Sequence, residues 1–373
     1  MQIADFALER YFARWEFAVK NVLCASDCEP LALAEVLEMA DDDARERWTS
    51  LRLGYTESLG LPALRAAIAG LYEHATADDI ITFAGAEEGV FLYMHSALSA
   101  GDHAVVVWPA YQSLHEVARS IGASVTLVPL DPRDWSLDVD AVAAAMRPNT
   151  RVVVINFPHS PTGAQLPAAD FARLISIVEL HGAQLFSDEV YRFLEHSSER
   201  LPPAVDESAA GVSLGVMSKA FGLAGVRIGW IATRDATLRR RLAANKDYTT
   251  ICNSAPSEIL ALIALRAREQ VLDRTHSIIV ENLATLEGFF ARNEQQFSWV
   301  RPKAGSVCFP LLNRGSIDDF SARLVQEEGV LLLPASQFGY PKNHFRLGYG
   351  RRDMVSGLLR LEDFARRTAD QGL

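Results

Sequence analysis

The sequence predicts an α/β fold in which helices cover both faces of a mostly parallel sheet. Short β-branched or apolar runs alternate along the chain with amphipathic segments, and this alternation is typical of such a sheet. The length of 373 residues suits one large and one small domain. Hydrophobic residues make up 49% of the chain and charged residues 22%, a composition that excludes wholesale disorder.

Seven apolar runs are predicted to form the strands of the large domain, which we expect to span residues 46–265. The runs are DIITF (79–83), HAVVVW (103–108), SVTLVPL (124–130), RVVVINF (151–157), AQLFS (183–187), VSLGVM (212–217) and RIGWIAT (227–233). Amphipathic segments between them, such as PAADFARLISIVELHG (167–182), are predicted helices.

The C-terminal third has a different pattern. A long helical stretch over residues 255–296 is followed by short apolar runs, among them SVCFPLL and VLLLP, and by two further predicted helices. This pattern predicts a smaller α+β domain. We expect residues 1–45 to pack with residues 266–373, so that both ends of the chain build the small domain.

Charge and cysteine content narrow the class of protein. Lys and Arg number 36 against 47 Asp and Glu, a net charge of −11, and no basic block favours nucleic acid or an anionic membrane. Cys24 and Cys28 lack a second Cys/His pair, so we expect free thiols and no metal site. The N-terminus lacks the apolar core of a signal peptide, and no run approaches the roughly 20 apolar residues of a transmembrane helix. We therefore expect a cytoplasmic enzyme or binding protein.

Candidate functional residues follow the strand runs, since open parallel sheets bind ligands outside the carboxyl ends of their strands. The turn Gly85-Ala86-Glu87 opens a helix, where free N–H groups suit a phosphate, although an ordinary tight turn has the same composition. Tyr111 is either a stacking platform or a packing residue. The Pro-rich turn that contains Ser160 and His159 is rigid enough to carry function, with His159 itself expected to be structural.

Three charged residues complete the pattern. Asp188 is either a buried carboxylate that needs a positive partner or the N-cap of a helix with Glu189 in its first turn. Lys219 is the only charged residue between Gly211 and Gly225, and partial desolvation favours the neutral amine that forms Schiff bases. Arg227 is suited to clamp a phosphate. An amine, a carboxylate and cationic phosphate contacts are the parts that a pyridoxal phosphate site requires.

Four motifs carry a family resemblance: SPTG (160–163), DEVY (188–191), SKAFGLAGVRIGW (218–230) and FRLGYG (345–350). From about Tyr55 to the C-terminal helix, the sequence resembles the class I/II aminotransferases. These are fold-type I pyridoxal-phosphate enzymes related to aspartate aminotransferase. The resemblance implies a pyridoxal 5'-phosphate cofactor and transfer of an amino group from an L-amino acid to a 2-oxo acid.

The resemblance also implies catalytic roles. Lys219 would form a Schiff base with the cofactor and shuttle the proton, while Asp188 would keep the ring nitrogen protonated. Tyr191 would hydrogen-bond the phenolic oxygen of the cofactor, and Tyr111 would stack on its ring. Arg346 would grip the α-carboxylate of the substrate.

The remaining implied contacts concern the phosphate and the second subunit. Phosphate contacts would come from Gly85, Ala86, Glu87, Ser218 and Arg227. Tyr55 would reach the phosphate of the neighbouring subunit, which implies a homodimer with shared active sites.

Two departures from the family pattern keep a second reaction type open. Ser160 stands where the family usually has an asparagine that bonds the cofactor, next to the substrate. Val216 stands where a phosphate-binding Ser or Thr is common. The same scaffold also supports elimination, replacement and cyclisation, as in enzymes similar to capreomycidine synthase. A non-enzymatic module is disfavoured because Lys219 and Asp188 are both present.

An acidic N-terminal segment bears on the substrate. Residues 23–33 occupy the stretch that lines the side-chain pocket in relatives, and they include Asp27 and Glu29. These carboxylates would favour a polar or cationic side chain, unless the segment is a solvated loop or helix cap.

Overall fold

A seven-stranded mixed sheet forms the centre of the protein. The computed structural model describes residues 2–197 and 199–369. The strands are β1 (Asn21–Val22), β2 (Ile80–Phe83), β3 (His103–Trp108), β4 (Ser124–Pro129), β5 (Thr150–Asn156), β6 (Gln184–Asp188), β7 (Gly211–Val216), β8 (Gly229–Thr233), β9 (Phe297–Ser298), β10 (Val307–Cys308), β11 (Leu311–Leu312), β12 (Val330–Leu331), β13 (Leu333–Pro334) and β14 (Phe345–Gly348). The large sheet has the order β2-β8-β7-β6-β5-β3-β4.

Helices cover both faces of this sheet and form much of the C-terminal third. They are α1 (Ala7–Trp15), α2 (Leu33–Glu38), α3 (Asp42–Thr49), α4 (Pro62–Ala69), α5 (Ala86–Ala97), α6 (Ser113–Ile121), α7 (Val139–Ala145), α8 (Ala168–Leu180), α9 (Ala204–Glu207), α10 (Ala236–Lys246), α11 (Ala255–Arg266), α12 (Arg268–Arg292), α13 (Ile317–Glu328) and α14 (Met354–Ala369). Within the described residues, no helix is long and apolar enough to cross a bilayer.

The seven predicted runs all form strands of the large sheet, which confirms the predicted α/β fold. Strand β8 pairs antiparallel with both β2 and β7, whereas the other neighbouring pairs are parallel. The carboxyl ends of the six parallel strands therefore share one edge with the beginning of β8. Residues that precede β8, such as Arg227, consequently lie at the same edge as residues that follow the other strands.

Alternate residues of the central strands pack into two different apolar layers. Val105 and Val153 belong to the layer that includes α8, whereas Val106 and Val154 belong to the layer that includes α5. All four side chains are fully buried, and burial of a valine side chain stabilises a fold by about 1.5–3 kcal/mol. This two-sided burial explains why the runs are continuously apolar rather than alternating.

The two ends of the chain meet through backbone pairing. Strand β1 pairs in parallel with β12, and the N–H of Gly348 donates to the carbonyl of Leu23. The division into domains 46–265 and 1–45 with 266–373 stays a prediction. The helical stretch over 255–296 is two helices that meet at Ala267, and the predicted C-terminal apolar runs contribute strands of only two to four residues.

Candidate active site

A cavity of about 380 Å³ opens at the carboxyl edge of the large sheet. The last residues of β5, β6 and β7 reach it, and α1 closes it from the other side. Its polar and charged lining consists of Glu9, Glu16, Ser26, Asp27, Glu87, Tyr111, Asn156, Ser160, Asp188, Tyr191, Ser218, Lys219, Arg227 and Arg346. The cavity thus collects most of the predicted site residues.

The predicted phosphate turn lies at one end of the cavity. Helix α5 begins at Ala86, so the N–H groups of Ala86 and Glu87 fall in a first turn that has no acceptor within the helix. The N–H of Gly85 is different, because it already donates to the carbonyl of Phe83. Gly85 has a positive φ of 92°, and a Cβ there would collide with Nη2 of Arg227. Glycine therefore lets the Arg227 guanidinium lie directly against the helix start.

Asp188 is the last residue of β6 and is only 7% exposed. Its Oδ1 accepts one hydrogen bond from the N–H of Val190 at 3.2 Å. Burial raises the pKa of this carboxyl from 3.8 to about 7, although the nearby Lys219 acts in the opposite direction. A buried carboxyl that faces a cavity with so few donors is suited to a cationic ligand atom.

The alternative interpretation of Asp188 as a helix N-cap is wrong, because turns and not a helix follow β6. Its neighbour Glu189 is structural: Oε1 accepts hydrogen bonds from the N–H of Ala204 and from Oγ of Ser213, both at 2.8 Å. His159 is structural as well, since it is 1% exposed and its Nδ1 pairs with Thr162. Burial lowers the pKa of His159 to about 3, so the ring is neutral.

Lys219 projects into the cavity from the turn that follows β7. Its side chain is half-buried, and Nζ donates to Oγ of Ser26 at 2.8 Å. Nζ also lies 5.4 Å from the centre of the Tyr191 ring, and Tyr191 itself is buried. Ser26 was not singled out from the sequence, although it lies in the segment 23–33 that was predicted to line the side-chain pocket. A lone serine 193 residues from Lys219 carries no signal that the two side chains meet.

Asn156 is a second missed residue. It ends β5, where Nδ2 donates to the carbonyl of Asp188 and Oδ1 accepts from the N–H of Ser160, both at 2.8 Å. This side chain therefore ties the Pro-rich turn to the strand that carries Asp188. The sequence could have singled out Asn156, since a polar residue near the end of the run RVVVINF is unusual in a buried parallel strand.

Arg346 lies in β14 and is 3% exposed. Nε donates to the carbonyl of Cys24 at 3.0 Å, and the guanidinium lies 5.6 Å from the Phe12 ring and 5.8 Å from the Phe338 ring. Within the described part of the chain, nothing bonds its two terminal amino groups. The unused fork is suited to bind a carboxylate with two parallel hydrogen bonds.

Tyr111 and Glu87 form a polar wall that the sequence did not predict as a unit. The Tyr111 hydroxyl donates to Glu9, and Ser113 Oγ donates to Glu87 at 2.9 Å. Desolvation by the surrounding protein raises the pKa of Glu87 to about 7, although part of the residue is exposed and Ser113 acts in the opposite direction. Glu9 was missed because it belongs to α1, which the resemblance did not cover.

Three predicted residues lie outside the cavity or are engaged by other parts of the chain. Tyr55 is 90% exposed and lies outside the cavity, so this single chain does not test its role towards a neighbouring subunit. Asp27 lines the cavity, but Arg351 holds its carboxylate through two hydrogen bonds of 3.0 and 2.7 Å. Glu29 accepts the N–H of Arg352 at 2.9 Å. The two carboxylates of the N-terminal segment are therefore already engaged by the chain.

The comparisons with known proteins place the chain in a family. A profile described as aminotransferase class I and II matches residues 20–360, and the chain belongs to this pyridoxal-phosphate-dependent family. Among curated relatives, capreomycidine synthase from Streptomyces vinaceus is 30% identical over 82% of this chain and 79% of its own length.

Two solved structures support the same fold. A pyridoxal-phosphate-dependent aminotransferase from Streptococcus suis has a TM-score of 0.92 and 29% identity, covering 98% of this chain and 99% of its own. The pyridoxal-phosphate-dependent cyclase OrfR has a TM-score of 0.90 and 28% identity, covering 98% of both chains. The relatives thus include both transfer and cyclisation enzymes.

The cavity fits the cofactor of the family, pyridoxal 5'-phosphate. It offers an amine at Lys219, a buried carboxyl at Asp188 for the ring nitrogen, and the cradle of Arg227 and the α5 start for the phosphate. Arg227 can lie against the start of α5 only because residue 85 is glycine, since a Cβ there would collide with the guanidinium.

Proposed function

We propose that the protein is an aminotransferase that moves the amino group of an L-amino acid to a 2-oxo acid through Lys219. The observation that supports this proposal is the convergence of Lys219, Asp188 and the free fork of Arg346 on one cavity. Lys219 suits an amine-reactive cofactor and Asp188 suits the ring nitrogen of that cofactor. Arg346 suits the α-carboxylate of an amino acid. When bound, pyridoxal phosphate supplies an electron-withdrawing ring that stabilises negative charge at the substrate Cα.

The chain's own residues would divide the remaining work. Arg346 would hold the α-carboxylate and so orient the Cα–H bond. Nζ of Lys219 would take the proton from Cα and later return a proton to the cofactor side, with Ser26 Oγ as its hydrogen-bond partner at 2.8 Å. Asp188 would keep a proton on the ring nitrogen, and Tyr191 would donate to the phenolic oxygen. Arg227 and the N–H groups of Ala86 and Glu87 would hold the phosphate.

Ser160 and Ser218 have secondary places in this proposal. Both line the cavity. The Ser160 hydroxyl would face the cofactor oxygen and the substrate where the family usually has an asparagine, and Ser218 would add a hydroxyl near the phosphate. Tyr111 would stack on the ring.

A second candidate is cyclisation or elimination on the same cofactor. The similarity to capreomycidine synthase and OrfR supports it, and so does Glu87, whose pKa of about 7 suits a general base at neutral pH. The two reactions differ in their need for an acceptor, because only transamination requires a 2-oxo acid for repeated turnover.

The test is therefore turnover of an L-amino acid panel with and without a 2-oxo acid. Transamination predicts that product formation stops after one equivalent of enzyme sites unless 2-oxo acid is added. Lys219→Ala should abolish turnover, while the matched variant Lys303→Ala, at an exposed residue outside the cavity lining, should keep it. Continued turnover without any acceptor would reject transamination in favour of the second candidate.

We also propose a homodimer in which Tyr55 serves the neighbouring site. The support is a patch of exposed apolar side chains, formed by Leu53 (85% exposed), Tyr55 (90%), Tyr248 (92%) and Ile251 (50%). The two segments of the patch are joined, since Thr56 Oγ1 donates to the carbonyl of Asn253 at 3.4 Å. Solvent exposure of so much apolar surface is typical of an interface.

Mixing of two inactive variants tests the shared site. Tyr55→Ala and Lys219→Ala subunits should each be impaired, whereas mixed dimers contain one intact site. Random reassortment predicts recovery of about a quarter of the wild-type activity. A monomeric mass in light scattering with full activity, or no recovery after verified subunit exchange, would contradict the proposal.

A further inference from the structure

The cavity contains more carboxylates than its proposed ligands can neutralise. Carboxylates line it at Glu9, Glu16, Asp27, Glu87 and Asp188, whereas the cationic side chains are Lys219, Arg227 and Arg346. Arg351, which does not line the cavity, neutralises Asp27 through an ion pair. Under the proposed function, Asp188 faces the ring nitrogen, and the two arginines of the cavity face the phosphate and the α-carboxylate. Glu9, Glu16 and Glu87 are left without a cation.

Two of these carboxylates belong to one face of α1. Glu9, Phe12 and Glu16 are spaced three and four residues apart, so they form a single stripe along the helix, and all three line the cavity. Phe12 in the middle of the stripe contacts the guanidinium of Arg346 at 5.6 Å. The acidic face therefore lies beside the residue that would hold the α-carboxylate, where an amino-acid side chain has to be accommodated.

Glu16 occupies an unfavourable position for a carboxylate. It is the C-cap residue of α1, where the helix carbonyls already concentrate partial negative charge. Burial raises its pKa, and the neighbouring Asp27 and Glu9 add to this rise, whereas the charges of Arg351 and Arg346 oppose it. No residue among 2–197 and 199–369 donates a hydrogen bond to Glu16 or forms an ion pair with it. A cation that entered the cavity would give this carboxylate a direct partner, which the described residues do not supply.

A second, independent feature shows that the cavity is built for a ligand with a fixed orientation. Arg346 is 97% buried, yet its terminal amino groups have no partner in the described residues. A zwitterionic ligand that satisfied this fork through its α-carboxylate would present its side chain to the neighbouring α1 face.

We infer that Glu16, assisted by Glu9, selects amino-acid substrates with a cationic side chain. This inference rests on the proposed function, because it assigns the substrate class of the same site. A guanidinium or ammonium group would donate hydrogen bonds to both carboxylates. It would also neutralise their negative charge, because Arg227 and Arg346 are already engaged by the phosphate and the α-carboxylate. A neutral side chain of the same length would leave Glu16 without a direct partner and Glu9 with only the Tyr111 hydroxyl, and an acidic side chain would be repelled.

Isosteric substrate pairs test the selection directly. L-Arginine is compared with L-citrulline and L-lysine with L-2-aminoheptanoic acid, because each pair has side chains of equal length that differ mainly in charge. We expect kcat/KM to favour the cationic member of at least one pair by about 30-fold, equivalent to ~2 kcal/mol. Glu16→Gln should remove most of that preference, chiefly by lowering the kcat/KM of the cationic member. Glu16→Lys should lower kcat/KM for the cationic member further.

A binding measurement separates recognition from turnover. Calorimetric titration of L-arginine and L-citrulline into the cofactor-loaded Lys219→Ala protein should show the same preference, and Glu16→Gln in that background should remove it. Asp5→Asn is the matched control, since Asp5 is exposed just before α1 and lies outside the cavity lining. Asp5→Asn should change neither the affinity for L-arginine nor the affinity for L-citrulline.

The possible outcomes distinguish the inference from the proposed function. If no amino acid is converted, the proposed function fails together with the inference. If amino acids are converted and the neutral or acidic members react as well as the cationic ones, the proposed function stands and the selection by Glu16 is refuted. A cationic preference that persists unchanged in Glu16→Gln and Glu9→Gln would also refute it.

Discussion

Replacement of Asp188 by asparagine should stabilise the cofactor-free protein while it impairs the enzyme. In the structure this carboxyl is 7% exposed and receives a single hydrogen bond of 3.2 Å. Ionisation there is unfavourable unless a cation occupies the cavity. Asparagine keeps the shape and the acceptor oxygen but removes the charge. The variant thus separates the stability of the folded chain from its chemistry.

The size of the effect follows from the pKa. A rise of the Asp188 pKa from 3.8 to about 7 corresponds to ~4 kcal/mol of folding free energy once the group is ionised in both states. Because the pKa is higher in the folded protein, the folded state binds more protons between these values. The stability of the wild-type protein therefore falls as the pH rises from about 4 to about 7, and the variant lacks this fall.

Urea denaturation of the cofactor-free proteins at pH 5, 6, 7 and 8 measures the difference. With a slope of about 3 kcal/mol/M, the Asp188→Asn midpoint should exceed the wild-type midpoint by roughly 1 M at pH 8 and by much less at pH 5. With cofactor added, the variant should lose at least ~100-fold in kcat. Asp5→Asn should leave the midpoint unchanged. A difference that does not vary with pH, or a variant less stable throughout, would refute the reasoning.

Two further substitutions probe other parts of the cavity. Arg346→Lys should raise KM for the amino acid by about 100-fold with little change in cofactor affinity, since lysine cannot keep the Cys24 carbonyl bond and grip a carboxylate with two hydrogen bonds; equal losses in cofactor affinity and KM would contradict this role. Glu87 ionises as the pH rises through about 7, so wild-type affinity for the cofactor should fall about 5-fold more between pH 6 and 8 than that of Glu87→Gln. Identical pH profiles of the cofactor Kd, measured by fluorescence titration, would show that Glu87 does not sense the phosphate.

The large sheet could be predicted from the sequence because its physical cause is local. A strand covered on both faces has to be apolar at every position, and runs such as HAVVVW (103–108) and VSLGVM (212–217) show this directly. The residues after those runs then had to lie at one edge. The antiparallel direction of β8 was not visible in its run, since apolar composition does not encode strand direction.

The wall of the cavity opposite the sheet could not be predicted in the same way. Glu9 and Glu16 come from α1, and Ser26 reaches Lys219 across 193 residues of sequence. Their relation to the site arises only when the first residues of the chain pair with β12 and β14. Local sequence patterns also placed the acidic preference at Asp27, whose charge Arg351 neutralises in the folded protein.

The fate of the amino group tests the central claim most directly. The cofactor-loaded protein is mixed with one equivalent of an accepted ¹⁵N-labelled L-amino acid in the absence of any 2-oxo acid, and both cofactor and product are identified by mass spectrometry. Transamination through Lys219 predicts one equivalent of the matching 2-oxo acid and the ¹⁵N label on the cofactor. Recovery of unlabelled cofactor together with a cyclised or eliminated product would contradict it.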